Sequence, residues 1–333
     1  MATSRIPHPA ALVSGLGALA AQAIAQDDEG RGIPTRRLGR TDEQVSILCL
    51  GGAHLGRAAM DDGEPVALKL AHAALDNGVF FWDNAWAYHQ GYAEEFMGKA
   101  LKGRRESVFL MTKNSGRDEK FARQCLDDSL KRMQTDYIDL WQFHEINYDN
   151  DPDWVFDRGG LKVALEAQQA GKVRYIGFTG HKHPRIHLSM LAKGYQWASS
   201  QMPINPMDYF YRSFQREVVP ACQAKDVGVI GMKCLGGGPR IAEIPSTTEV
   251  TAEMCVRWAL SVPVASIVRG YLTMEQLMAD VEVARGFRPL SDKEREQIQA
   301  FAYPEAGDGR HEHFKSTQRY DSSIYREMHG FGV

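Results

Sequence analysis

The chain has 333 residues, 44% of them hydrophobic and 24% charged, with a formal net charge of −3. A chain this long can bury a large core without a disulfide framework, and its near-neutral balance gives no electrostatic reason to expect nucleic acid or an anionic membrane as partner. Its five cysteines form no C-x-x-C pair and read as reduced packing residues.

Residues 1–33 form an extension in which Ala10 to Ala25 are nearly all small and apolar, ending in Ala23-Ile24-Ala25. That pattern fits an export signal with a cleavage site; it fits a loosely helical extension equally well. A cytoplasmic location is favoured, with export as the alternative. The run is too short for a confident membrane span.

From Ser46 onward, short runs rich in β-branched and aromatic residues alternate with longer amphipathic stretches. The pattern predicts strands at Ser46–Gly51, Val79–Asp83, Val108–Lys113, Tyr137–His144, Val173–Thr179, Ala198–Met202, Val227–Met232 and Ala265–Arg269. Most are apolar on successive positions, as parallel strands buried on both faces require. Helices are predicted between them at Pro65–Asn77, Ala93–Leu101, Glu119–Met133, Leu161–Ala170, Pro184–Lys193, Arg216–Lys225, Glu249–Ser261 and Met274–Arg285. Eight strand–helix units over residues 34–288 match the size of an α/β (β/α)8 TIM barrel in one domain. A doubly wound sheet would want G-x-G-x-x-G after the first strand, and Gly51-Gly52-Ala53-His54-Leu55-Gly56 has the wrong spacing. Arg36–Gln44 is predicted to be a hairpin closing the barrel bottom. Residues 289–333 form a polar tail that packs on or near the barrel.

Four polar side chains recur at the ends of successive strands: Asp83, with Tyr88 just beyond it, then Lys113, then His144. In such a barrel the C-terminal strand ends share one mouth. A lysine beside a phenol favours the phenolate, and a carboxylate fixes the lysine. An imidazole can donate a hydrogen bond to a substrate oxygen. The set suits protonation of a carbonyl oxygen, but it holds no electron source, so a nicotinamide cofactor is implied.

These residues carry a resemblance to the aldo-keto reductases. Phe81-Trp82-Asp83-Asn84-Ala85-Trp86-Ala87-Tyr88 resembles the family's F-D-T-A-x-x-Y with one insertion. Thr112-Lys113 resembles its T-K, and Asp139-Leu140-Trp141-Gln142-Phe143-His144 its D-L-x-x-x-H. The resemblance implies Tyr88 as general acid and base, tuned by Lys113, with Asp83 holding the lysine and His144 orienting the carbonyl. It implies Thr179 and Gln201 at the nicotinamide carboxamide, with Asn205 continuing the pattern and Gly180 lacking the usual amide side chain. Met232 stands where an aromatic residue usually stacks. Lys233, Leu235 and Gly237 fall at the pyrophosphate, and Arg269, Gln276 and Asp280 at the adenosine end. Gln276 replaces a common arginine, so NADP and NAD both stay open, with NADP slightly favoured. Trp86, His89, Trp141 and His181 are expected to shape the substrate pocket, with core packing an equal alternative for Trp141. No metal is expected, although His183 and His187 are four apart. The expected partner is a small carbonyl or alcohol, such as an aldehyde, ketone or sugar-like molecule. A cofactor-binding sensor with little turnover is the alternative function.

Overall fold

A computed structural model describes residues 32–237 and 242–332. The expected export signal lies outside these residues. The chain opens with a hairpin, β1 (Thr35–Arg37) against β2 (Gln44–Ser46). Eight parallel strands follow: β3 (Leu48–Gly51), β4 (Phe81–Asp83), β5 (Phe109–Asn114), β6 (Ile138–Phe143), β7 (Val173–Thr179), β8 (Ser199–Pro203), β9 (Gly228–Met232) and β10 (Ser266–Arg269). They close in sequence order, with β10 pairing back onto β3. The fold is a single (β/α)8 TIM barrel.

Side-chain parity along the strands divides the core in two. Cys49, Phe81, Met111, Leu140, Ala198, Ile230 and Ala265 meet inside the barrel. Leu50, Trp82, Leu110, Trp141, Ile176 and Phe178 point outward and pack with the helices. The hairpin plugs the N-terminal end. Leu38 joins the inner cluster, and the Arg40 N–H donates to the Asp226 carbonyl at 2.8 Å. All five cysteines are free and buried.

Two predicted helices, Glu119–Met133 and Met274–Arg285, have the expected bounds. Others shift by a few residues where a cap sets the start. Thr251 accepts from the Met254 N–H, so the predicted Glu249–Ser261 helix begins at Ala252. The glycine run after β3 begins an unpredicted helix, Gly52–Asp61. A Cβ at Gly52 would meet the Asp83 carbonyl oxygen at 2.6 Å, so only glycine lets this helix start so close to β4. A second unpredicted helix, Asp151–Asp157, follows β6, and the tail forms Asp292–Ala302, His313–Ser316 and Ser323–Met328.

Among the described residues, no helix is long and apolar enough to cross a membrane. Phe81 lies fully buried inside the barrel, edge-on to Phe109 at 5.3 Å. Phe81→Ala is therefore expected to cost about 3–5 kcal/mol, measured as a lowered urea midpoint.

Candidate active site

The hydrogen-bonded register of β3–β6 brings Asp83, Lys113 and His144 to one mouth. Gly51 pairs with Asp83, and Lys113 with Gln142 two residues before His144. Tyr88 opens a short 3-10 turn after β4. The Lys113 ammonium donates to Asp83 Oδ1, to the Asn84 carbonyl at 2.6 Å and to the Tyr88 hydroxyl at 3.3 Å. The Tyr88 and His144 rings meet edge to face at 5.5 Å.

Burial sets the protonation pattern. It pushes the Tyr88 phenol well above its ordinary pKa, and the charges of Asp83 and Glu145 add to the push. Burial is the first cause of this rise, so the net shift runs opposite to the lowering expected beside Lys113. Burial, with Lys113 nearby, pulls His144 well below its usual value, so the imidazole is neutral at pH 7. Burial also raises the Asp83 carboxyl, against the pull of Lys113.

A cleft of about 630 Å³ starts at Asp83 and Tyr88 and passes Gln201, Met232, Lys233 and Leu235. It ends at Arg269, Gln276 and Asp280. Gln201 Oε1 is buried with no hydrogen-bond partner, while its amide nitrogen lies 3.8 Å from the Met232 sulfur. Such an orphaned acceptor suits a carboxamide N–H. Thr179 is buried at the end of β7, next to Gln201 on β8.

Other expected residues lie elsewhere. Gly237 is off the cleft; its N–H donates to the His311 carbonyl and its own carbonyl accepts from the His313 N–H. The tail thus takes the groups expected for pyrophosphate. Asn205 holds Glu312 and caps the turn at Met207 and Asp208. Trp86 turns to the neighbouring helix, donating to Asp128 at 3.0 Å and packing edge-on to Phe121. His89 pairs with the Ala53 carbonyl at 2.7 Å. Trp141 points outward into the layer beneath the helices. His181 is buried under the tail, 3.0 Å from both Asn147 and Asp321. None of these four lines the cleft. His183 caps its helix through Nδ1 and His187 meets the Gln201 carbonyl. Among the described residues no group of three histidine, cysteine or acidic side chains is placed to hold a metal.

Sequence reasoning put the tail on or near the barrel without naming the residues that meet the mouth. Tyr325 lies edge-on to His144 at 5.6 Å, and its hydroxyl is 2.7 Å from Ser115 Oγ. Asp321 accepts from Lys182, Tyr148 and Asn147 and meets His181. Glu145, beside His144 and with φ near 49°, accepts from the Ser322 N–H at 3.0 Å and hydroxyl at 2.9 Å. The Lys233 ammonium sits over the rings of Tyr320 and Phe314 at 4.8 and 5.4 Å.

With this geometry established, comparison with known proteins gives the family. The aldo/keto reductase family model matches residues 47–243. The chain belongs to that family, whose members are nicotinamide-dependent oxidoreductases. It is 29% identical over 256 residues to aldo-keto reductase AFTS1 of Alternaria alternata, covering 65% of this chain and 68% of that one. It is 33% identical over 226 residues to the uncharacterized oxidoreductase YrpG of Bacillus subtilis, covering 60% and 66%. The matched region thus spans about two thirds of these relatives' lengths. Aldo-keto reductase AKR11C1 from Bacillus halodurans superposes with a TM-score of 0.66 at 26% identity, covering 84% of this chain and 99% of that one.

Burial pushes the Glu145 carboxyl up to about 7. In the unfolded chain it titrates near 4.5, so between these values the folded state holds more protons and loses stability as pH rises. Glu145→Gln keeps a group that can bond Ser322 but does not titrate. The melting temperature of the variant relative to wild type is expected to rise between pH 5 and pH 8, by roughly 3–6 °C.

Proposed function

We propose that this chain transfers a hydride between NAD(P) and a small carbonyl or alcohol, with Tyr88 as the acid in reduction and the base in oxidation. The observation that carries the reading is the Tyr88 hydroxyl, 3.3 Å from a Lys113 ammonium already bonded to Asp83, at the head of a cleft of about 630 Å³. Gln201, with its orphaned oxygen, would hold the carboxamide, with Thr179 beside it and Met232 against the ring. Lys233, Leu235 and Arg269 would line the rest of the dinucleotide. When bound, the nicotinamide supplies or accepts the hydride.

The chain's own residues handle the proton. Because its pKa is raised, the Tyr88 phenol is protonated at neutral pH and available to a carbonyl oxygen gaining negative charge. The Lys113 ammonium beside it stabilises the phenolate left behind. Asp83 keeps that ammonium in place and balances its charge. His144, neutral, has one ring N–H to offer the same oxygen, which fixes the carbonyl against Tyr88. Tyr325 and the tail keep water from the far side of His144.

The substrate class that fits is an aldehyde, ketone or sugar-like carbonyl. Tyr88→Phe tests the proton role. It is expected to lower kcat for carbonyl reduction at least ~100-fold while leaving the Kd for the nicotinamide dinucleotide within about threefold. An unchanged kcat would remove Tyr88 as the proton donor.

A further inference from the structure

The far end of the cleft is made by the end of β10 and the first turns of helix Met274–Arg285. With the nicotinamide at Tyr88, Gln201 and Met232, the adenosine half of the dinucleotide falls here. The inference below therefore rests on the proposed function. The two forms of the cofactor differ at this end alone. One has a ribose 2′-hydroxyl, a neutral donor; the other carries a phosphate with close to two negative charges at neutral pH.

Among the described residues lining this end, the charged side chains are Arg269, Glu275 and Asp280, one guanidinium against two carboxylates. The guanidinium is already engaged: Arg269 Nε donates to Asp280 Oδ2 at 2.5 Å, with both side chains mostly buried. A charge-assisted pair sheltered from water is costly to break, since the carboxylate would be left unpaired. Gln276 is engaged too, its side-chain oxygen accepting from the Leu272 N–H at 2.9 Å and its own N–H donating to Thr273 Oγ1 at 3.3 Å. The first turn of this helix is thus capped by its own residues. A 2′-phosphate would have to share Arg269 with Asp280 and lie near Glu275. A 2′-hydroxyl would meet a carboxylate able to accept from it.

We propose that this end selects the dinucleotide with a free 2′-hydroxyl, NAD(H), over its 2′-phosphorylated form, because Asp280 both occupies Arg269 and accepts the ribose hydroxyl. The preference is opposite to the slight lean towards NADP given by the sequence. Asp280 and the Arg269 pair are the specificity determinants, and Gln276 is a position where a cation is missing.

The test uses the full chain and reads binding rather than turnover. Quenching of tryptophan fluorescence is titrated with NADH and with NADPH, and the shift in melting temperature is measured with each at equal concentration. Wild type is expected to bind NADH at least roughly tenfold more tightly, with the larger thermal shift. Asp280→Asn, which weakens the hold on Arg269, is expected to lower the NADH-to-NADPH preference at least roughly tenfold. Gln276→Arg is expected to lower it similarly while leaving the Arg269–Asp280 pair intact, so a poorly folded Asp280 variant does not decide the matter. Equal or tighter binding of NADPH by wild type overturns the proposal and leaves the oxidoreductase reading standing. A preference that neither variant moves overturns the assignment to Asp280. Binding of neither dinucleotide overturns both readings.

Discussion

The buried pair between the Lys113 ammonium and Asp83 is the constraint around which the mouth of this barrel is arranged. Both side chains are almost wholly excluded from water. A charge so placed is tolerated only if its partners are in position, and the barrel supplies them from β4 and β5. Adjacent parallel strands put the carboxylate and ammonium side by side. The Asn84 carbonyl satisfies a second ammonium proton, and the Tyr88 hydroxyl lies near the remainder. The pair therefore orients the phenol and keeps a positive charge next to it. Burial first, and then the Asp83 charge, keep the phenol protonated at neutral pH.

The proton end of the cleft and its far end use the same kind of element differently. At Tyr88 an ion pair holds a cation beside a phenol. At Asp280 an ion pair engages a cation that lines the groove. Between them, Gln201 offers an acceptor with no partner of its own and Met232 a polarizable sulfur. Gly180, where the sequence departs from the family pattern, also has a local reason. A Cβ there would meet the Ile146 carbonyl oxygen at 2.3 Å, so the chain has no room for an amide side chain.

The strands were legible because parallel strands buried on both faces must be apolar at successive positions, and their C-terminal ends and the turns just beyond carried the polar residues of the mouth. Trp141 is legible by parity: with His144 and Leu140 on the inner face, Trp141 points out. Gly237 was not, since its backbone is claimed by His311 and His313 more than seventy positions away. Nor was Glu145. Nothing in its local sequence says that Ser322, 177 residues later, donates to it. Hairpins and caps are set by neighbours; the covering of the mouth is set by chain segments that only the closed barrel brings together.

The tail has an electrical role as well as a steric one. Asp321 is fully enclosed by groups from the loops after β6 and β7: the Lys182 ammonium, the His181 imidazole, the Asn147 amide and the Tyr148 hydroxyl. Glu312 does the same near Lys315 and Asn205. The last turns of the chain are thus counter-ions to the barrel mouth, and the loops around His144 are shaped to receive an anion. Parted from the tail, those loops would keep their cation and donors and lose the charge they were built around. The charge balance of the barrel mouth is therefore decided as much by residues 312–325 as by the strands beneath it.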